Sequence, residues 1–235
     1  MDARTREILG AVISEFIETG EPVSSGHLYK KYRFDVKPAT IRHELHILDD
    51  EAYLLQPHTS AGRVPTNKGY QLFVEQILLD SLEETARQQV ARVQALRKAL
   101  TRGHLDVLVE DITRRMKVIG VGYTAQLGLQ KKGLQILVDD LIKKDEIHDA
   151  SEVAQIVKDF ECIDDKIEDL MSFLPEDRPS VFIGRSPVTK SPHLSVIADS
   201  FKLNGEPTVL AMIGSKRMDY ENNINFFVTL KNSIV

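Results

Sequence analysis

Cysteine is nearly absent from this chain of 235 residues: Cys162 stands alone. No internal disulfide can form, and a reducing compartment fits. No apolar run approaches the roughly 20 residues that a membrane-spanning helix needs. The opening MDARTREIL reads as the start of an amphipathic helix and lacks the apolar core of a secretion signal. A cytoplasmic location is therefore expected. Catalytic constellations are also missing. Gly120-Val121-Gly122 places two glycines inside a strand-like run, which reads as packing rather than a phosphate cradle. Cys162 has no linked histidine, and the pairs Asp139-Asp140 and Asp164-Asp165 read as solvated. His43 and His46 are three apart on one helix but lack a third metal ligand at suitable spacing. No enzyme, cofactor or metal is expected. There is no internal repeat and no low-complexity stretch. An excess of positive charge is lacking as well, because the net charge is −5.

The length suits two domains and is ample for a buried core. The most informative stretch runs from Lys37 to Thr66, KPATIRHELHILDDEAYLLQPHTSAGRVPT. Pro38 suits the first position of a helix, where its missing N–H costs nothing. Ile41, Leu45 and Leu48 form one apolar stripe. Ala39, Arg42, His43 and His46 lie on or beside the opposite side, near the N-terminal half, where base edges and phosphates are reached. A solvated helix face fits this segment alone equally well; its neighbours favour DNA.

Upstream, Ile8, Leu9, Val12, Ile13, Phe16 and Ile17 make an amphipathic helix that stops at Gly20. Ser24 or Ser25 can cap a second helix, Gly26 to about Tyr32, with Leu28 inward and Lys30, Lys31 and Arg33 outward. Downstream, Tyr53-Leu54-Leu55 reads as a strand, PHTSAG as a turn-rich tip, and Arg63-Val64-Pro65 as the returning strand. Three helices and a hairpin in this order predict a winged helix-turn-helix, with one helix in the major groove and the hairpin against the backbone. Over residues 24–68 seven basic residues face five acidic ones, a balance of +2. That footprint is modest and predicts weak non-specific binding by a single copy.

Here a resemblance enters. Residues 7–70 are similar to the N-terminal domain of the heat-inducible transcription repressor family (HrcA). The segments that carry it are EIL, FIETGEPVSS, VKPATIRHEL, LLQPHTSAGRVPTNKGY and, near the other end, GSKRMDYENN. It covers the first 80 residues well and roughly 178–230 moderately. The resemblance implies a winged-helix domain, a GAF-like C-terminal domain, a homodimer, and repression of chaperone operons at an inverted-repeat operator. It also makes the chaperonin GroEL a candidate partner. This chain departs from the family where Lys37 replaces the usual serine before Pro38, and where His43-Glu44 replaces Asn-Asp. Gly26 stands for Arg and Ala52 for Gly. The region between 105 and 150 is too short for the segment that longer members insert there.

From Lys68 a helical pattern runs through Phe73, Ile77, Leu82, Val90 and Val93 to about Gly103; continuous, it would be about 50 Å long. Leu105, Leu108, Val109, Ile112 and Met116 continue with a shorter helix. Val118–Tyr123 and Gln135–Val138 read as strands, with a capping box at Asp149 and Glu152. One helix then carries Val153 to Leu174. Val181-Phe182-Ile183 is a strand, and Leu194–Leu203 with Thr208–Gly214 form a hairpin around Asn204-Gly205. Asp219 can cap a last helix bearing Ile224, Phe227, Val228 and Leu230. RMDY (217–220) reads as structural.

The expected class is α+β: a winged-helix domain over 1–67, a connecting and dimerising helix over 68–104, and a GAF-like domain over 105–235. The candidate DNA-facing set is Ser25, His27, Lys30, Lys37, Ala39, Thr40, Arg42, His43, His46, His58, Thr59, Ser60 and Arg63. The candidate dimer set is Leu82, Val90, Val93, Ile224, Phe227 and Val228. Two other readings stay open. One is a small-molecule sensor that acts through the GAF-like domain; the other is a winged helix used only for protein contacts.

Overall fold

Asp2 starts the first helix by accepting the Thr5 N–H at 2.8 Å, and Gly20 ends it with φ 74°. This helix, α1 (Ala3–Thr19), buries Ile8, Leu9, Val12 and Ile13. In the computed structural model, residues 1–83, 104–203 and 205–234 are described. They divide into two units, Met1–Gln76 and Ile77–Val235.

In the first unit, α2 (Ser25–Lys31) is capped by Ser24, whose hydroxyl accepts the His27 N–H at 3.2 Å. The third helix, α3 (Pro38–Asp50), begins on Pro38 and buries Ile41, Leu45 and Leu48. Lys37 holds its N-cap position without a side-chain bond, as expected for a residue that carries no acceptor. Strands β1 (Leu54–Leu55) and β2 (Val64–Pro65) pair antiparallel. An extra bridge joins Val23 to Arg63: each accepts the other's N–H, at 2.9 and 2.8 Å. The next helix, α4, spans Asn67–Glu83.

The second unit contains a five-stranded antiparallel sheet in the order β4-β3-β7-β6-β5. Its strands are β3 (Ile119–Thr124), β4 (Gly128–Lys132), β5 (Ser180–Ile183), β6 (Leu194–Leu203) and β7 (Glu206–Ser215). One face carries Ile119, Val121, Val196, Ala198, Val209, Ala211 and Ile213 into a core shared with α6 (Leu134–Lys143), α7 (Ala150–Glu161) and α8 (Ile163–Phe173). The other face meets α5 (Leu105–Met116) and α9 (Tyr220–Ile234). The two glycines of the Gly120-Val121-Gly122 run let α5 approach. A Cβ on Gly120 would lie 2.8 Å from the Val109 carbonyl oxygen, and one on Gly122 would lie 2.8 Å from Leu105 Cδ1. The architecture is α+β, consistent with the GAF-like domain implied above.

Three expectations change. Residues 135–138 belong to α6, not to a strand: Leu137 and Leu141, four apart, are buried on one helical face. The partner strand of β3 is β4 instead, a short segment with Lys131 and Lys132 on the sheet edge, which the apolar pattern did not mark. The helix expected from Val153 to Leu174 is two helices, α7 and α8, separated at Cys162 (ψ 3°). The break lets both wrap the same apolar face of the sheet.

Ile224, Phe227 and Val228 are corrected as dimer candidates. They are 0%, 1% and 3% exposed within the single chain. Tyr220, Phe226 and Leu230 are buried as well, with the polar Asn223 and Thr229 among them, so α9 is covered on most of its sides and packs as a core helix. Asp219 starts it by accepting the Asn222 N–H at 3.0 Å. The buried Tyr220 hydroxyl bonds Ser195 Oγ at 2.8 Å and the Lys216 carbonyl at 3.0 Å. Val90 and Val93 lie outside the described residues. Among the described residues, no helix is long and apolar enough to cross a membrane.

Two carboxylates organise loops of this unit. Asp159 on α7 is 4% exposed, and its Oδ2 accepts the N–H groups of Lys190 and Ser191 at 2.8 and 2.9 Å. Asp159→Ala orphans two donors of the segment before β6. Loss of such charge-assisted bonds costs about 1.5–3 kcal/mol, to be read as a lowered urea midpoint with the slope unchanged. Glu146, in the loop between α6 and α7, bonds Ser215 Oγ at 2.6 Å. Burial pushes its carboxyl above the usual glutamate value, against the Ser215 bond and the charges of Lys144 and Arg217. A group raised in this way stabilises the fold below its unfolded pKa, and that contribution is lost as pH rises through the folded value. Glu146→Gln removes this loss. Its stability relative to wild type should improve as pH rises from the ordinary glutamate range toward neutrality, measured by denaturant titration at several pH values.

Candidate nucleic-acid interface

The exposed side of α3 is the centre of this surface. With Ile41, Leu45 and Leu48 turned inward, the helical period turns Ala39, Arg42, His43 and His46 outward, and all four are exposed. Thr40 is half-buried, and Lys37 stands exposed at the helix start. This end of the helix carries the exposed N–H groups and the positive end of the dipole, both of which favour an anion. Nothing acidic occupies its first turn.

Helix α2 lies beside α3, held by a buried acid on α1. Glu15 Oε1 accepts from His27 Nε2 at 2.8 Å, and its Oε2 lies 2.8 Å from Lys31 Nζ. Lys31 also reaches Glu18 at 2.7 Å. Burial works against the Glu15 charge, but the bonds from Lys31 and His27 outweigh it and hold the carboxyl below the usual glutamate range. The hydrogen bonds to Glu15 and Glu18 in turn raise the Lys31 ammonium. Lys31 is therefore tied to two acids although its side chain is exposed, while Lys30 is exposed beside it. Ser25 is half-buried at the start of the same helix.

The hairpin tip, with His58, Thr59 and Ser60 all exposed, completes the surface. Gln56 braces it: its Nε2 donates to the carbonyls of Thr59 and Ala61, both at 3.0 Å. Gln56 was not among the sequence-derived candidates. Its only signal is its place at the head of the run QPHTSAGRVPT, and its role depends on the loop closing back over it. A cleft of about 260 Å³ separates the elements, lined among others by Ser24, Ser25, Arg42, His46, Thr59 and Gly62. The structure thus gathers Ser25, Arg42, His46 and Thr59 around one opening.

Arg63 is the correction. Expected at the surface, it is 7% exposed, with Nε 3.3 Å from Asp49 Oδ2. Asp49 sits at the end of α3, where the helix dipole is already negative and a cation is favoured. Drawn inward to that acid, Arg63 lines the cleft and presents little charge outward. Among the described residues, no three His, Cys, Asp or Glu side chains are grouped to hold a metal ion, and His43 and His46 stand without a third ligand.

The C-terminal part of the chain matches a family model. Residues 73–224 correspond to the model described as the HrcA protein C terminal domain. The chain is 49% identical over 77 residues to the heat-inducible transcription repressor HrcA of Acidothermus cellulolyticus, covering 33% of this chain and 23% of that protein. It is 38% identical over 149 residues to the protein of the same name from Alkaliphilus metalliredigens, covering 63% of this chain and 42% of the relative. The chain thus spans less than half the length of these curated relatives. The crystal structure of a hypothetical protein superimposes with a TM-score of 0.71 at 19% identity, over 100% of this chain and 97% of the other; that likeness concerns the fold alone. The match over 73–224 takes in more than half of the sequence, and the chain belongs to the HrcA family.

Proposed function

We propose that this chain is a DNA-binding transcriptional repressor of chaperone operons, built on an N-terminal winged helix-turn-helix and acting without enzymatic chemistry. One observation carries the reading. The exposed side of α3, the start of α2 and a braced hairpin tip surround a single cleft, whose lining includes the cationic Arg42, the hydroxyls of Ser24, Ser25 and Thr59 and the imidazole of His46 beside the apolar Val23 and Leu45. In a winged helix these are the recognition helix, its supporting helix and the wing. The relatives' names supply the kind of gene control, and heat-shock operons follow from them. GroEL remains the candidate partner that the family suggests, and the cytoplasm the compartment in which such a repressor works.

The cationic footprint is smaller than the sequence count. Lys31 and Arg63 are both engaged by acids, which leaves Lys30, Lys37 and Arg42 as the main outward charges of the candidate set. Few phosphate contacts give weak binding by one copy, so a two-fold pair reading an inverted repeat is the economical arrangement. With α9 buried within the single chain, the described residue best suited to pairing is Leu82 on α4, 48% exposed, with Leu79 nearby at 54%. Val90 and Val93 complete the candidate set.

Two tests follow from this surface. Genome-wide recovery of DNA bound to the protein supplies the operator. On that duplex, Arg42→Ala should lower affinity by about 1–3 kcal/mol in a titration while circular dichroism stays unchanged; equal affinity would remove α3 from the groove. Leu82→Glu should yield folded monomers in light scattering that bind a half-site and the full repeat about equally. A wild-type monomer with that same equality would end the two-fold model.

A further inference from the structure

We infer that Arg63 is a positioning residue: paired with Asp49, it sets the hairpin tip against α3 and makes no DNA contact itself. The inference rests on reading α3 and the hairpin as the DNA-binding face. Three attachments meet at this one residue. Its N–H and C=O exchange hydrogen bonds with Val23, in the segment between α1 and α2, at 2.8 and 2.9 Å. Its guanidinium lies inside, with Nε 3.3 Å from Asp49 Oδ2 near the end of α3. The preceding Gly62 packs so closely on that same segment that a Cβ would lie 2.4 Å from the Val23 carbonyl carbon. Arg63 therefore ties the returning strand both to the entry of α2 and to α3.

The pair is electrostatic rather than an aligned hydrogen bond, because Arg63 Nε has no partner at bonding geometry. Such a contact gives direction to the hairpin without a fixed donor-to-acceptor line, and it depends on both charges. Arg63 lines the same cleft as Arg42, His46 and Thr59. A change in the pair therefore changes the distance between the outward groups of α3 and those of the hairpin, though neither Arg63 nor Asp49 is among them. A ligand that must touch both elements at once, as a DNA duplex does, then binds less tightly.

Asp49 separates this role from a direct contact. An acid beside a phosphate-binding arginine opposes DNA, so neutralising it would tighten binding. An acid that holds the arginine in place does the reverse. The test uses the full chain and a duplex selected by the wild-type protein from a random-sequence pool, titrated between about 50 and 200 mM salt. Measurements are made at a temperature where circular dichroism shows every variant fully folded. Arg63→Ala and Asp49→Asn should each weaken binding roughly three- to thirtyfold, the double variant no more than the worse single one. The salt slope should stay that of wild type, and Arg63→Lys should recover most of the loss.

An Arg63→Ala slope shallower by about one, together with unchanged or tighter binding by Asp49→Asn, would make Arg63 a phosphate contact and overturn the proposal. Unchanged affinity in both folded single variants would overturn it too. A DNA-free readout keeps the two readings apart. Amide exchange at Val23 and Arg63 should quicken in both single variants while the amides of α1 keep their protection. If the wild-type chain selects no duplex, the DNA reading fails, and this exchange pattern still decides whether the pair holds the hairpin. Wild-type exchange at both amides would reject the strut outright.

Discussion

A strand buried on both faces is the constraint from which the second unit follows. Every residue of β7 from Thr208 to Ser215 is buried. Side chains on a strand alternate between faces, so helices must cover both sides of the sheet. One side takes α6, α7 and α8 against Ile213, Ala211 and Val209. On the other, the small residues Gly120 and Gly122 admit α5, and Ser195 receives the Tyr220 hydroxyl of α9. Some of the polar groups caught in this burial find partners: Asp159 takes the N–H groups ahead of β6, and Lys231 Nζ reaches Asp199 Oδ1 at 2.7 Å. Burial still pushes the Asp199 carboxyl upward despite Lys231.

The first unit is governed by a different economy. Its core is small, and its hairpin strands are two residues each. A two-stranded hairpin of that size is not stable alone in water. Here the bridge between Val23 and Arg63, the brace from Gln56 and the inward Arg63 hold it in place. The same acids that keep the helices together, Glu15 and Asp49, engage two cations: Arg63 is drawn inside, and Lys31 is paired at the surface. Pairing inside the unit thus engages Lys31 and Arg63, two of the cations that the sequence offers there.

Much of the fold was legible because its signals are local. The caps at Ser24, Asp149 and Asp219, Pro38 at the head of α3 and the stop at Gly20 each depend on residues within one helical turn. Gly205, in the turn joining β6 and β7, sits at φ 85°, the conformation that makes Asn-Gly a hairpin signal. The exposed side of α3 followed from the helical period. What escaped was long-range. β4 is a polar edge strand whose identity comes only from pairing with β3. Residues 135–138 look equally apolar as a strand or as a buried helix turn, since a short apolar run does not separate the two. Cys162 carries no breaker chemistry, yet the helix divides there because two short helices cover the sheet face where one straight helix would leave it.

The sequence by itself determined the helices of the first unit with their caps and inward stripes, the Asn-Gly hairpin, and the kinship carried by the QPHTSAGRVPT run. Periodicity, capping and turn chemistry act over a few residues and are written in order along the chain. The tertiary structure alone decided which polar residues are spent inside. Arg63 reads as an exposed cation until Asp49, fourteen positions away, claims it, and Ile224, Phe227 and Val228 read as a free apolar face until α9 is laid on the sheet. A charge or an apolar face is available to a partner only if nothing in its own fold has already satisfied it, and that depends on neighbours in space rather than on neighbours in sequence.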